Sequence, residues 1–417
     1  MFKKVSLLSM AFVIASKAVM AGGFSLTEYS TTSFGRAFAG LGIVGDDYSA
    51  IISNPAGMSL VKDDGVQLGM SLIDIYAKIS DNRPGKDDEI SLNIFSPVPS
   101  FFIQTTVSDK MKLGMALYTP YGLGTDYKDG WFGRDEALLS EIVVYDFTVS
   151  SSYDLTDKFS IGASLSTQYA TADLTNDVAS GAIYSEIEGH SDPTLAYTLG
   201  LMYRPTDNTR FGLSYRSKST YDLEGTHTLK MNTNIPGSNL GMPSIPYVPA
   251  GTKLKGDAWA SVTLPENVIL SAYQKIDDLG LSASVKWTRW SRFEYLNIYS
   301  NVKGKDALVS STHENWQDTW TYAIGADYDL NKDWVLRAGI EYDETPIPGD
   351  ANRTARIPDD DRIITSLGAS YKFNGGKFDM AYAHIFLDGG NAQYPSGFDA
   401  EYDLHINMLS FAVQYYF

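Results

Sequence analysis

The chain has 417 residues, no cysteine and a formal charge of −17. So acidic a balance excludes nucleic acid as a partner, because its phosphates would be repelled, and leaves lipids and small apolar molecules open. With 27 Tyr, 19 Phe, 7 Trp and 36 Gly, a mean hydropathy of −0.16 and no 18-residue apolar run beyond the N-terminus, a helical membrane bundle is excluded as well. An aromatic-rich, glycine-rich chain that is polar on average suits a transmembrane β-barrel.

In chain order, Lys3 and Lys4 precede an apolar run, Val5 to Ala15, and small residues end at Ala21. Residues 1–21 therefore read as a cleaved secretion signal, the run being too short for the ~20 residues of a spanning helix. Residues 22–64 do not read as strand. Gly35, Ala37, Ala39, Gly40, Gly42 and Gly45 give a small-residue segment, and Asp46-Asp47 is placed to cap a short helix over Tyr48 to Ser53 that ends at Pro55. A stretch this weakly hydrophobic is expected to fold back into the lumen as a partly helical plug, because a wide barrel would leak if empty.

From about Gly65 the period is two. Ile161, Ala163, Leu165 and Tyr169 alternate with Ser160, Gly162, Ser164 and Gln168, and the comb recurs at 195–203, 320–328 and 334–342, where Asp327, Arg337 and Glu341 occupy the other phase. Tight turns at 108–111, 154–158, 205–209, 275–280, 329–333 and 373–377 alternate with long connections near 80–97, 123–137, 174–191, 228–256, 298–313, 343–357 and 388–401. Six turns and seven loops join fourteen strands, with both barrel ends on the short-turn side. The last comb, Leu409 to the terminal Phe417, resembles the signal read by the outer-membrane assembly machinery. The expected architecture is all-β: a 14-stranded antiparallel barrel over 65–417, plugged by 22–64, in a Gram-negative outer membrane, with that membrane's lipid and lipopolysaccharide as surroundings.

Several motifs carry a resemblance to the FadL-type transporters of long-chain fatty acids and hydrophobic compounds. These are the run Gly23 to Glu28, Gly35-Arg36-Ala37, Asp46-Asp47 and Asn54-Pro55-Ala56-Gly57 in the leader. Further on come Tyr121-Gly122-Leu123, Leu264-Pro265-Glu266, Trp290 to Phe293, and Asp343 to Arg362. The resemblance implies a monomeric channel carrying hydrophobic molecules without energy input, most readily long-chain fatty acids, with neutral hydrocarbons as the alternative and a general porin behind both. It implies a plug, or hatch, marked by Asn54, Pro55 and Ala56. It implies capture by an apolar groove of the third and fourth long loops, where Ile235, Leu240, Met242, Ile245, Tyr247 and Val248 are the candidates. A side exit is implied at a kink in the third strand, where Pro120, Tyr121 and Gly122 break the ladder. The bases that this family uses for a carboxylate are missing at 170–174 and 315–318, leaving Arg216, Lys218, Lys286 and Arg337, all on phases read as inward. The five histidines lack a nucleophile setting, and Asp359-Asp360-Asp361 lacks the spacing of a calcium loop, so neither an enzyme, a metal site nor a cofactor is expected.

Overall fold

The computed structural model describes residues 23–127, 130–240, 242, 244–302, 304–387 and 389–417; the expected secretion signal, 1–21, lies outside them. Fourteen antiparallel strands close into one barrel. They are β1 (Gly65–Asp81), β2 (Glu89–Ser108), β3 (Met111–Asp126), β4 (Leu139–Asp154) and β5 (Phe159–Val178). Then come five interrupted strands: β6 (Ile183–Ser191 and Thr194–Thr206), β7 (Thr209–Arg216 and Ser219–Met231), β8 (Lys253–Leu264 and Asn267–Ile276), β9 (Leu279–Thr288 and Tyr295–Ser300) and β10 (Ala307–His313 and Thr319–Asp329). The last four are β11 (Trp334–Asp343), β12 (Arg362–Phe373), β13 (Gly376–Leu387) and β14 (Asp399–Tyr416). β1 closes onto β14 in an unbroken ladder from Gly65↔Tyr416 to Asp81↔Ala400, so no edge is left on this side.

The alternation settles into an apolar exterior. Leu195, Tyr197, Leu199, Leu201 and Tyr203 are exposed, as are Trp320, Tyr322 and Ile324, whereas Ser160, Ser164, Ser166 and Gln168 are buried inside. A belt of this kind running round all the strands is tolerated only against lipid. Rings mark its rims: Phe159 stacks on Tyr203 at 4.6 Å and Trp334 meets Tyr371 at 5.0 Å on the short-turn side.

Above the belt, several connections are shorter than the sequence implies. The 174–191 stretch is hairpin, β5 running to Val178 and β6 starting at Ile183, and β1 and β2 are joined by 82–88 alone. The reason is that polarity inverts where the strands leave the lipid: outward positions become charged and inward ones apolar, which erases the comb that marks a strand in the membrane. β6 to β10 break at one height, near 192–193, 217–218, 265–266, 289–294 and 314–318, and continue as an extracellular collar.

Residues 23–64 lie inside the barrel and are almost entirely buried. They contain α1 (Thr31–Phe34), α2 (Ala50–Ser53) and a 3₁₀ turn, Pro55–Leu60. The second helix is shorter than expected. Asp47 still organises its start, its Oδ1 accepting from the Ser49 N–H at 3.0 Å, while Asp46 is drawn away to arginines. Glycines on opposite walls admit the plug closely: a Cβ on Gly200 would stand 2.2 Å from the Asn54 Oδ1, and one on Gly339 2.1 Å from the Arg36 carbonyl oxygen.

Candidate functional site: a plugged lumen with an unpaired side

Among the described residues, the wall is incomplete between β2 and β3. β2 pairs with β3 from Ser108↔Met111 to Phe101↔Leu117, and among the described residues that ladder continues no further. β3 instead bulges against β4 between Tyr118 and Tyr121, where proline supplies no donor. β2 matches this on its own side. Pro97 and Pro99 are two residues apart, so both withhold an N–H from the same edge. The β1 ladder runs through them unbroken, so that edge faces β3. The Pro97-Val98-Pro99 spacing is the mark that this opening leaves in the sequence.

The N-terminal segment of the plug occupies the abandoned edge of β3. The Leu26 N–H donates to the Pro120 carbonyl at 2.8 Å and the Gly122 N–H to the Phe24 carbonyl at 2.9 Å, with Ser25 bridged to Tyr121. Phe24, fully buried, sits among Trp290 (ring centroids 5.3 Å), Phe293 (5.7 Å), Trp316 (5.8 Å) and Tyr121 (6.3 Å). The Gly23 N–H donates to Asp359 Oδ2 at 3.0 Å, and Asp359 is itself paired with Arg362 and bonded by Thr345. The Tyr121 hydroxyl reaches the Pro265 carbonyl at 3.3 Å, while Glu266 holds Arg292 and Arg289. Stretches scattered from 23 to 362 thus gather around one short piece of chain.

The rest of the plug is pinned. Arg36, 1 % exposed, bonds Asp46 at 2.7 Å; Arg337 bonds the same carboxylate at 3.0 Å and Ser370 at 2.5 Å. Asn54 accepts from the Ala56 N–H at 3.2 Å, holding the turn before Pro55, and donates to the Leu201 carbonyl at 3.2 Å.

Two of the cavities along the lumen bear on a route through it. The upper one, within the collar, is lined by Ile142, Leu174, Ile187, Leu223, Val262 and Ile298 among others. The lower one lies beneath the kink between Leu26, Tyr29, Leu41, Pro120, Tyr121, Arg216, Ile269 and Lys286. Buried apolar side chains, Tyr221 and Leu264 among them, connect the two levels in a single cluster.

The four candidate bases part company. Lys286 lines the lower cavity and has no hydrogen bond or ion pair among the described residues. Arg216 reaches the same cavity but is engaged by the Tyr118 hydroxyl at 2.5 Å and Asp146 at 3.1 Å. Arg337 is taken up by Asp46. Lys218, read as inward, is exposed, because the break at Ser217 and Lys218 reverses the phase of β7. In the 232–252 loop, Ile235, Leu240 and Val248 are buried with Ile183 and Met231, Met242 packs against them, and Ile245 and Tyr247 stay exposed.

A lipid-facing barrel, an internal plug and apolar cavities leading to an unpaired strand edge define an outer-membrane transport protein. The family model described as outer membrane protein transport protein (OMPP1/FadL/TodX) matches residues 12–417, and the chain belongs to that family. It is 27% identical over 405 residues to a long-chain fatty acid transport protein of Escherichia coli K12, covering 88% of each chain. It is 28% identical over 430 residues to outer membrane protein P1 of Haemophilus influenzae, covering 91% of this chain and 89% of that protein. Among solved structures, a Pseudomonas aeruginosa FadL homologue superposes with a TM-score of 0.83 at 25% identity, over 95% of this chain and all of the other. The toluene transporter TodX of Pseudomonas putida shares the fold, with a TM-score of 0.69 at 20% identity over 89% of this chain and 94% of that one.

Proposed function

We propose that this protein takes up hydrophobic molecules by passive diffusion through the collar cavity and the lower cavity, releasing them sideways into the membrane between β2 and β3. A water-filled pore would not serve such a cargo, which would have to leave an apolar environment for the periplasm. An apolar route that opens into lipid avoids that step. The observation carrying the reading is the edge of β3 beyond Leu117, which β2 leaves unpaired and residues 24–26 cover. The moving part is that N-terminal segment. The body of the plug, locked by Arg36, Asp46 and Arg337, remains in place, so the plug does not travel as a unit. The relatives named for long-chain fatty acids and the fold-mate named for toluene bring both anionic and neutral cargo within reach of this path. The exposed Ile245 and Tyr247 supply a first apolar contact outside it.

The chain has no native cysteine, which makes the test direct. Ser25 and Tyr121 face each other between two backbone hydrogen bonds, a geometry in which paired cysteines lie within bridging distance. Ser25→Cys with Tyr121→Cys, oxidised, is expected to stop uptake of a labelled hydrophobic solute, and reduction to restore it. Uptake that continues through the oxidised form sinks the lateral route.

A further inference from the structure

The joint between β8 and β9 is also unzipped over part of its height, and the upper cavity lies against it. Here the ladder ends at Ala260↔Ile298 and resumes at Asn267↔Thr288, with one further bond from the Arg289 N–H to the Glu266 carbonyl at 3.0 Å. Among the described residues, no ladder joins 261–265 of β8 to 290–297 of β9. The longer stretch on β9 contains a 3₁₀ turn, Trp290–Arg292, while β8 contributes Pro265, which has no N–H to offer. The lips of the joint line the upper cavity: Ala260 and Val262 from β8, Leu296 and Ile298 from β9.

Side chains close this joint in place of a ladder. On the inside, Val262, Leu264, Phe293 and Leu296 are buried in one apolar cluster. On the outside, the Arg292 guanidinium forks onto Glu266, Nε to Oε2 at 3.0 Å and Nη2 to Oε1 at 2.7 Å. Both residues fall in stretches singled out in the sequence, Leu264-Pro265-Glu266 and Trp290 to Phe293, and the exit at β3 gives their pairing no role. Parting a ladder at the edge of lipid would strip backbone groups of their partners. Parting this joint releases a partly exposed ion pair, and it separates apolar side chains whose contacts lipid or cargo can replace.

The joint lies at the rim of the membrane. Next to its lower end Trp287 stands opposite the exposed Trp320, and next to its upper end Trp259 stacks on Tyr299 at 5.9 Å. Aromatic rings of this kind gather at the membrane–water interface. A molecule already dissolved in the outer leaflet therefore meets the joint from the side.

We infer that the β8–β9 joint is an entrance from the outer leaflet, through which apolar molecules dissolved in lipid reach the upper cavity without crossing the extracellular loops, and that the Arg292–Glu266 pair is its latch. The inference rests on the uptake path proposed above, to which it adds a way in from the membrane.

The missing cysteine helps again. Ser261 lies between the lip residues Ala260 and Val262, and Asn297 between Leu296 and Ile298. Outer membranes holding the full chain with Ser261→Cys and Asn297→Cys are given a long-chain alkyl diazirine dissolved in the lipid, with or without prior joining of the two cysteines by a short bismaleimide. After illumination the labelled residues are mapped by mass spectrometry. Label is expected on Val262 and Leu296, and joining is expected to cut it several-fold. Label that joining leaves unchanged, or that never reaches these residues, overturns the entrance. The Ser25–Tyr121 disulfide decides the exit in a separate measurement, so either reading can fail alone. Glu266→Ala, in a chain without the two cysteines, frees Arg292 and is expected to raise the label on Val262 and Leu296 several-fold. An unchanged yield overturns the latch.

Discussion

Single residues pin the body of the plug to the barrel wall. Arg36 is the deepest of the fixing contacts, its guanidinium buried against Asp46 and held within reach of Asp327 at 3.9 Å. Arg36→Met would leave Asp46 sharing Arg337 alone, and losing one partner of a buried ion pair costs about 3–5 kcal/mol. Because the barrel ladder is untouched, the expected result is a folded barrel whose residues 30–60 become open to protease in detergent, while wild type resists. Equal resistance would show that the pin is not what holds the plug. The Asn54-Pro55-Ala56 turn was legible in sequence because its stabilising contact is local, from Asn54 to a residue two positions on. The setting of Phe24 was not, since its partners lie some 97 to 292 residues away and the bond from Gly23 to Asp359 spans 336. Nor could the inward sense of Lys218 be judged, because a break in a strand leaves no mark on the alternation before it.

At the level of strands, the combs identified the membrane-crossing parts well, lipid imposing an apolar residue at every second position. The collar escaped for the opposite reason: water outside and an apolar cavity inside turn the same period over, and short polar stretches then read as loop. The side opening belongs to two strands acting together, one bent at Pro120 and the other stripped of donors at Pro97 and Pro99. Replacing the latter pair, Pro97→Val with Pro99→Val, returns two N–H groups to the β2 edge and adds residues suited to a strand that faces lipid. The expected outcome is a barrel at least as resistant to heat in detergent, with uptake of a labelled hydrophobic solute reduced several-fold. Undiminished uptake would mean that the prolines do not keep the strands apart.

For the whole molecule, the plug separates this barrel from a general porin, whose lumen must conduct. In a planar bilayer the wild-type chain is expected to give no steady single-channel current at salt concentrations where porins give large ones. Persistent large steps would contradict a sealed lumen. The seam between first and last strands has a bearing on how such an object can be made at all. Thr31 bonds Ser410 at 2.7 Å, Ser71 bonds the same hydroxyl at 2.9 Å, and Gln414 donates to the Asp46 carbonyl at 3.3 Å. The hatch therefore finds part of its seat on β14, immediately beside the strand that follows the hatch itself. Joining β14 to β1 therefore completes two things together, the wall and the seat of the hatch, because Ser410 and Gln414 hold Thr31 and Asp46 from the strand that closes the circle.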